Sequence, residues 1–379
     1  MTKNDIRIGI LTFSRSINYG AFLQCYSLFS KIKKLFNNVS VINYSLVPAE
    51  IGFFIQSFLR SPIKGLIQYY IFRKCAINEF NFTKKKVISN FNKSIDFINS
   101  LNFDLVIAGS DEIWKINRFR KYPNVYWASK AIKAKKISYA ASANRTFINR
   151  ISKKNILDMQ NELGNYKYLG VRDNQTYDFL NSLEMGKKIH INCDPTFLYD
   201  FRETPTLTRR LTEKYKLDYK KPIIGLITDD KKVGLSAKSF FGKEYQIVSI
   251  TSNNLYADTW LYDLNPFEWA NVFKLFSGCI TSYFHGMIFS ILSDVPFVAF
   301  DYESYSLANE TKIFNLIKKS KLDMCYVNIL KESFENISKK LETNIIDKTI
   351  LKDKFHRFVK SEKAGWIQFE KQLKRLVFE

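Results

Sequence analysis

Arg-Ile-Gly-Ile-Leu-Thr-Phe, residues 7–13, is a short apolar run of the kind that lies buried in a parallel β-sheet. A loop follows at residues 14–20, and residues 21–36 then carry apolar side chains at nearly helical spacing. A second apolar run at residues 39–44 completes the order strand, helix, strand, which forms one βαβ unit. This opening predicts a parallel sheet with helices packed on its faces.

The alternation of strands and helices continues in two series separated by a polar stretch. In the first series we predict strands at residues 104–108, 136–141, 168–171 and 188–193, with helices at 151–163 and 176–183. Residues 194–222 are polar and carry Pro195 and Pro205, which indicates an interdomain region. In the second series we predict strands at residues 222–228, 245–251, 278–282 and 296–300, with helices at 266–276, 285–292, 310–318 and from about 347.

A chain of 379 residues is long enough for two α/β domains of ordinary size. We therefore predict an α/β fold with two Rossmann-like doubly wound domains facing a cleft. Residues 1–200 form the first domain, with a helical insertion at residues 51–100. Residues 201–379 form the second domain and end in a basic helix.

The composition excludes several classes of protein. An apolar fraction of 46% excludes a disordered chain. The sequence contains no run of about 18 apolar residues, so we predict no membrane span. Five scattered cysteines, together with an N-terminus that enters a strand directly, predict a cytoplasmic protein with reduced thiols. The net charge of +22 suits an anionic partner, but the basic residues are spread along the chain without an RNA-binding or zinc-finger motif. We therefore expect no nucleic-acid partner.

Residues 51–73 differ from the rest of the chain. They combine many aromatic residues with Arg60, Lys64 and Arg73 and contain no acidic residue. Such a segment either lies in the interface of an anionic membrane or packs its apolar face on the first domain. The sequence favours packing, so contact with the inner face of the cell membrane stays the alternative.

Polar loops follow several of the predicted strands. In Asn18-Tyr19-Gly20 the glycine permits close backbone approach, while Gly109-Ser110-Asp111-Glu112 places two carboxylates directly after a buried strand. Arg172 ends another strand, where an arginine either grips an anion or forms a structural salt bridge. Because parallel strands present their carboxyl ends at one edge of a sheet, these loops are candidate ligand sites, although each is also an ordinary turn or helix cap.

His285 is the strongest single candidate for catalysis. It lies in Thr281-Ser-Tyr-Phe-His-Gly286, between a predicted strand and a predicted helix, where free backbone N–H groups attract anions. A histidine at such a position can exchange a proton near neutral pH. The other two histidines, His190 in a strand and His356 in the C-terminal helix, are expected to be structural and exposed, respectively.

Several familiar motifs are absent from the sequence. It contains no Walker A loop, no G-x-G-x-x-G fingerprint and no G-x-S-x-G elbow. It also lacks metal-ligand spacing, so we expect neither a metal ion nor a bound cofactor.

Six short motifs in order carry a family resemblance, namely residues 18–24 (Asn-Tyr-Gly-Ala-Phe-Leu-Gln), 109–114 (Gly-Ser-Asp-Glu-Ile-Trp), 138–142 (Ser-Tyr-Ala-Ala-Ser), 171–173 (Val-Arg-Asp), 194–196 (Asp-Pro-Thr) and 282–286 (Ser-Tyr-Phe-His-Gly). Across roughly residues 7–330 the chain resembles the polysaccharide pyruvyl transferase family. The resemblance implies a fold similar to the B-type glycosyltransferases. It also implies transfer of a pyruvyl group from phosphoenolpyruvate (PEP) to hydroxyls of a sugar, usually as a ketal, during synthesis of capsule or exopolysaccharide.

The resemblance also implies roles for individual residues. His285 is the expected acid and Asp111 the expected base. Two further residues, Arg172 and Lys312, are expected to hold the PEP anion beside Ser282. The acceptor, a saccharide that is free or lipid-linked, is expected on the first domain at Asn18, Gly20, Gln24, Gly109, Ser110 and Glu112.

Two positions depart from the family pattern. Many members carry an arginine where this chain has Tyr283, and Lys312 stands for a second arginine. A lysine keeps the charge of arginine but loses its two-pronged hydrogen-bonding geometry.

Two other functions remain open at this point. One is a glycosyltransferase of the same fold that uses a nucleotide-sugar donor. The other is a basic protein that has lost activity and binds a membrane surface or another polyanion. Because PEP is a small dianion or trianion that suits a basic protein, pyruvyl transfer is the preferred hypothesis.

Overall fold

The computed structural model describes residues 5–378 except 46–50, 53, 56–57, 60, 85, 88–89, 118–119 and 303–310. It divides into two compact domains. The first domain comprises Met1–Pro62, Phe72–Tyr199 and Glu362–Glu379, and the second comprises Ile63–Ile71 and Asp200–Ser361. Residues 362–379, which the sequence analysis assigned to the second domain, therefore group with the first.

The first domain contains a six-stranded parallel sheet in the order β2-β1-β5-β6-β7-β8. Its strands are β1 Arg7–Leu11, β2 Asn38–Val41, β5 Leu105–Ala108, β6 Lys135–Ser138, β7 Tyr166–Val171 and β8 Ile189–Ile191. A separate two-stranded parallel ribbon pairs β3 Tyr44–Ser45 with β4 Lys86–Val87. The helices are α1 Tyr19–Leu35, α2 Pro62–Glu79 (of which residues 63–71 group with the second domain), α3 Phe91–Ser100, α4 Lys153–Gly164 and α5 Asn174–Asn181.

The second domain repeats this architecture with the order β11-β10-β9-β12-β13-β14, again parallel throughout. Its strands are β9 Ile223–Ile227, β10 Gln246–Ser249, β11 Thr259–Trp260, β12 Gly278–Thr281, β13 Phe297–Asp301 and β14 Tyr326–Asn328. The helices are α6 Leu207–Tyr215, α7 Lys231–Phe241, α8 Pro266–Val272, α9 Phe284–Leu292, α10 Lys312–Ser320 and α11 Phe334–Ile346. The last helix, α12 Lys348–Phe378, ends the chain.

The two parallel six-stranded sheets confirm the predicted fold class of two Rossmann-like doubly wound domains. The central strands are apolar on both faces because helices cover both sides of a doubly wound sheet, and β5, β9 and β12 are buried along their full length. Within the described parts of the chain, no helix combines the length and the apolar character that a membrane crossing requires.

Each sheet has one position at which the strand order changes direction. In the first domain this switch point lies between β1 and β5, and in the second it lies between β9 and β12. Loops that leave adjacent strands in opposite directions open a crevice at the carboxyl ends of the strands, where ligands of such folds bind. The loops after β1, β5, β9 and β12 therefore define the candidate sites.

The unusual segment at residues 51–73 behaves differently in its two halves. Phe72 is buried in the first domain, where its ring lies 4.8 Å from that of Tyr19. Residues 51, 54, 55, 58 and 59 are helical and exposed to solvent. Residues 63–71 group with the second domain, so the predicted packing on the first domain holds for Phe72 and is wrong for that stretch. Phe53 and Arg60, which belong to the same stretch, lie outside the described residues.

Candidate functional site

The loop after β1 leads into the N-terminus of α1. Asn18 caps this helix, since its side-chain oxygen accepts a hydrogen bond of 3.1 Å from the backbone N–H of Ala21. Asn18 is exposed in this loop, whereas Gly20 is buried within the first turn of α1. Gln24 is fully buried and donates a hydrogen bond to Asp194. Its amide thus organises the interior of the first domain, a contact different from the acceptor contact that the sequence suggested.

The loop after β5 needs glycine at its first position. Gly109 has a φ angle of +122°, and a side-chain carbon there would lie 2.2 Å from the backbone oxygen of Tyr139. The next residue, Ser110, is fully buried, and its backbone oxygen accepts a 2.7 Å hydrogen bond from Thr12. This close packing fixes where the following carboxylates emerge.

Asp111 and Glu112 are partly exposed and face different partners. One Asp111 oxygen accepts a 2.7 Å hydrogen bond from the backbone N–H of Glu112, and its carboxylate lies 4.0 Å from the Arg172 guanidinium. The Glu112 carboxylate accepts hydrogen bonds of 2.7 Å from Asn144 and 3.3 Å from Lys115. Asp111 thus lies 4.0 Å from a buried cation while part of its side chain meets solvent, a position in which a carboxylate can act as a base.

Arg172 is buried among carboxylates. Its guanidinium lies 3.3 Å from Asp194, 3.9 Å from Asp173 and 4.0 Å from Asp111, and its side chain is only 4% exposed. Burial acts to lower the pKa of Arg172, but Asp194, Asp111 and Asp173 outweigh it and raise that pKa. An anionic substrate would have to compete with these three carboxylates for the guanidinium.

In the second domain, the loop after β12 leads into α9. Tyr283 is the N-cap residue, yet its side chain makes no capping hydrogen bond, and the first turn contains no acidic residue. Instead, the backbone N–H of Tyr283 donates to the Thr281 hydroxyl at 2.9 Å. Gly286 is required by close packing, since a side-chain carbon there would lie 2.2 Å from the Thr281 hydroxyl oxygen. The start of α9 is therefore held tightly and carries the partial positive charge of a helix N-terminus.

His285 and Lys312 lie at this helix start. The His285 ring is partly buried and stands perpendicular to the Phe284 ring at 5.2 Å. The Lys312 ammonium lies 5.8 Å from the centre of the same Phe284 ring. Ser282, which is partly exposed, precedes them and donates its backbone N–H to Ile227 at 3.2 Å. The structure thus brings three predicted residues together within the second domain.

Lys312 is positioned by the start of its own helix. Thr311 caps α10 by accepting a 3.0 Å hydrogen bond from Phe314, and its hydroxyl donates to the buried Asp301 at 2.7 Å. Because Asp301 ends β13, this bond fixes α10 and Lys312 to the sheet edge.

Sequence reasoning missed the loop after β9. Asp229 is exposed there, while Asp230 caps α7 by accepting from Val233 at 2.7 Å and also accepts from the Tyr302 hydroxyl. Burial and then Asp230 raise the pKa of Tyr302. No motif identifies these residues, and only their place at the switch point of the second sheet does.

The remaining histidines occupy the positions expected of them. His190 lies in β8 and stacks on Tyr168 at 4.5 Å, and burial lowers its pKa. His356 is exposed on α12 and lies 2.9 Å from Asp294.

Comparison with solved structures supports the fold. The UDP-GlcNAc 2-epimerase of Neisseria meningitidis bound to UDP-GlcNAc is 9% identical, and the match covers 97% of this chain and 99% of that chain with a TM-score of 0.57. The UDP-GlcNAc 2-epimerase of Methanocaldococcus jannaschii is 10% identical, with coverage of 90% and 91% and a TM-score of 0.51. At such low identity these similarities establish the architecture alone.

Sequence comparison identifies the family. No curated protein sequence matches the chain at a significant level. The family model of the polysaccharide pyruvyl transferases, in contrast, matches residues 18–304, a span that includes the loops after β5, β7 and β12. Because this match covers well over half of the chain, the protein belongs to the polysaccharide pyruvyl transferase family.

Proposed function

We propose that the protein transfers a pyruvyl group from PEP to two hydroxyls of one sugar, forming a ketal and releasing inorganic phosphate. The acceptor is a saccharide, free or lipid-linked, of a surface polysaccharide such as capsule or exopolysaccharide, and the reaction takes place in the cytoplasm. Family membership supports polysaccharide modification by a transferase. The observation that carries the choice of an anionic donor is the group formed by Lys312, His285 and the start of α9, whose first turn contains no acidic residue.

The start of α9 has the chemistry that PEP requires. PEP carries a phosphate and a carboxylate, and backbone N–H groups at a helix N-terminus bind such groups with the help of the helix dipole. Lys312 adds a full positive charge near this helix start. Because Tyr283 takes the place of an arginine, directional hydrogen bonds to the anion come from backbone N–H groups in this proposal, and Lys312 acts as a point charge.

The proposed reaction balances without a cofactor. His285, as imidazolium, donates a proton to the methylene carbon of PEP, which leaves an oxocarbenium centre at the neighbouring carbon. A sugar hydroxyl attacks this centre, and Asp111 accepts the proton of that hydroxyl, which replaces the proton that His285 donated. The C–O bond to phosphate then breaks, a second hydroxyl attacks the same carbon, and its proton leaves with the phosphate. The enzyme ends with as many protons as it began with.

Arg172 has a positioning role in this proposal. Its guanidinium is engaged by three carboxylates, one of which belongs to Asp111. It therefore helps to fix the Asp111 carboxylate at the sheet edge. This role replaces direct contact with PEP, which the family resemblance implied for Arg172.

Binding of the donor tests the proposal without knowledge of the acceptor. In isothermal titration calorimetry we expect PEP to bind and UDP-N-acetylglucosamine not to bind. Lys312→Ala should weaken PEP binding by about tenfold or more, since it removes a full charge next to the anion. Lys319→Ala is the matched control, because it removes an exposed lysine from the same helix. Tight binding of the nucleotide sugar without PEP binding would contradict the proposal and favour a protein that uses a nucleotide sugar, such as a glycosyltransferase.

Product analysis tests the transfer itself. The protein is incubated with PEP and a panel of p-nitrophenyl glycosides that differ in the sugar. Release of inorganic phosphate, followed by ³¹P NMR, should coincide with a glycoside that gains the mass of a pyruvyl ketal. Phosphate release without a ketal product would show hydrolysis of PEP and would contradict the proposed transfer.

A further inference from the structure

A cavity of about 560 Å³ opens at the amino ends of strands β1, β5 and β6. The residues that line it all belong to the described part of the first domain. Protein interiors contain few voids larger than a water molecule, whereas sites for small molecules are concavities of roughly 300–1,000 Å³. The size of this cavity is therefore that of a ligand site.

The walls of the cavity are apolar. They come from the segment before β1, the end of α3, the two segments that lead into β5 and β6, and the last turn of α12, and their apolar side chains are Ile6, Ile98, Phe103, Leu105, Ile132 and Val377. Phe103 and Val377 are partly exposed, and the other four are nearly fully buried. A ligand with an apolar body would remove that body from water between these side chains.

The charged residues of the lining are two lysines and one aspartate. Lys133 and Lys135 are both exposed, so their charges lie on the solvent side of the cavity. One carboxylate oxygen of Asp104 accepts a 2.8 Å hydrogen bond from the backbone N–H of Arg7 and thereby fixes the start of β1. The Lys135 ammonium donates a 3.2 Å hydrogen bond to the backbone oxygen of Leu376, which uses one of its three donors. The net charge of the lining is therefore positive.

The backbone around the cavity is held by hydrogen bonds. The Asn99 side chain, at the end of α3, accepts a 2.9 Å hydrogen bond from the backbone N–H of Lys133 and donates one of 3.0 Å to the backbone oxygen of Ala131. The backbone N–H of Lys135 donates to the backbone oxygen of Asp104 at 2.9 Å. Because both lysines are anchored in this way, a ligand would meet a preformed site and would lose little affinity to the ordering of the chain.

We propose that this cavity binds a small molecule with an apolar body and a single anionic group, such as a carboxylate. The body lies between the apolar walls, and the anion meets the ammonium groups of Lys133 and Lys135. A cation would be repelled by the two lysines and attracted by Asp104 alone. A molecule with several charges would have to place some of them against apolar walls, which costs solvation energy.

This inference does not rest on the group that the enzyme transfers. The cavity lies where β1 and β5 begin, and the loops of the candidate site lie where the same strands end. A ligand in the cavity therefore leaves Asp111 and its neighbours accessible.

Isothermal titration calorimetry with four probes tests the proposal on the full-length protein. Octanoate and 1-naphthoate carry one carboxylate on an aliphatic and an aromatic body, respectively, and the tighter of the two shows which body fits. Octanol has the aliphatic body without a charge, and octyltrimethylammonium has it with the opposite charge. We expect at least one carboxylate to bind, and octyltrimethylammonium to bind at least about tenfold more weakly than octanoate, since it meets two like charges.

Two double variants test the place of the anion. Lys133→Ala with Lys135→Ala should weaken binding of the carboxylate by about tenfold or more and change binding of octanol by less than about threefold. Lys93→Ala with Lys154→Ala is the matched control, because it removes two exposed lysines of the same domain and changes the net charge equally. Thermal unfolding checks that both variants fold.

Hydrogen exchange of the wild type locates the ligand without any substitution. The bound carboxylate should protect residues 98–105 and 131–135, because a ligand suppresses local opening where it binds. Failure of both carboxylates to bind would overturn the proposal. So would equal weakening in the two double variants, equal binding of octanoate and octyltrimethylammonium, or protection confined to other parts of the chain.

Discussion

The buried pair of Arg172 and Asp194 offers the sharpest test of the first domain. The two side chains are 4% and 2% exposed, and their charged atoms lie 3.3 Å apart. Asp194 also accepts hydrogen bonds from Gln24 and from the backbone and hydroxyl of Thr196, the latter two at 2.9 and 2.6 Å. We consider two substitutions that remove charge but keep approximate size, namely Arg172→Met and Asp194→Asn.

The two substitutions should lower the free energy of unfolding by different amounts, because they leave different charged groups without a partner. Removing one partner of a buried ion pair costs about 3–5 kcal/mol. Asp194→Asn leaves Arg172 with Asp111 and Asp173 at about 4 Å, so we expect the lower end, about 3 kcal/mol. Arg172→Met leaves three carboxylates without a shared cation, so we expect about 4 kcal/mol. The double variant should lose about 2 kcal/mol less than the sum of the two, since the residues interact directly.

Urea unfolding followed by circular dichroism measures these losses, and calorimetric titration of each folded variant with PEP measures binding. If Arg172 positions Asp111, Arg172→Met should bind PEP within about threefold of the wild type while its rate of transfer falls about tenfold or more. Asp194→Asn then separates the two roles. An arginine that grips PEP would bind it more tightly once a competing carboxylate is gone, whereas a positioning arginine would not. Loss of PEP binding in Arg172→Met together with tighter binding in Asp194→Asn would refute our assignment.

Three further predictions concern the second domain. His285→Gln should lower the rate of transfer by about a hundredfold or more, as is typical for loss of a positioned acid, while calorimetry should show PEP binding changed by less than about fivefold. Lys312→Arg should keep PEP binding within about threefold, because the charge is retained, and a loss as large as that of Lys312→Ala would show that the compact ammonium itself is required. The pKa of Asp263 lies below its ordinary value of 3.8, because hydrogen bonds from Lys214 and Tyr215 and the charge of Arg210 outweigh the effect of burial. Ionised Asp263 therefore stabilises the fold above that value, and Asp263→Asn should lower the free energy of unfolding by about 2 kcal/mol at neutral pH. In urea unfolding, this difference between wild type and variant should disappear as the pH falls through the pKa of Asp263 in the folded protein.

The sequence predicted the central strands of both sheets because a strand buried on both faces must be apolar along its length, as in β5 and β9. It missed β11 and β14, which are edge strands of two and three residues and are too short to show a pattern. It also missed α6, which lies in the stretch interpreted as an interdomain region. Only Leu207 and Leu211 of this helix are buried, so its sequence is mostly polar.

The places of individual candidate residues after their strands were predicted from the sequence, but their contacts were not. Loops that follow buried strands must lie at the sheet edge, so Asp111 and His285 could be placed there from the sequence. The contact between Arg172 and Asp111 could not be predicted, because the two residues are distant along the chain. They meet because Ala141 forms one bridge to Asp111 and another to Val171. The same holds for Gln24 and Asp194, which are 170 residues apart. Local sequence therefore predicts which residues lie at the ends of strands. The pairing of buried charged residues depends on the order of the strands in the sheet, which local sequence does not reveal.

The charges next to the loops after β5 and β12 lead us to expect that the first domain binds the sugar and the second binds PEP. In the first domain, Asp111 and Glu112 are both partly exposed, and the nearest buried cation, Arg172, is already shared by three carboxylates. The partly exposed carboxylates there suit a neutral sugar, whose hydroxyls donate hydrogen bonds to them. In the second domain, the loop after β9 carries the carboxylates of Asp229 and Asp230. The start of α9 at the same sheet edge has no acidic residue in its first turn, and the Lys312 ammonium lies 5.8 Å from the Phe284 ring there. We therefore expect a sugar analogue without charge to protect the first domain from hydrogen exchange, and PEP to protect the start of α9, because a bound ligand suppresses local opening where it binds. Protection by PEP confined to the loop after β5 would reverse this assignment.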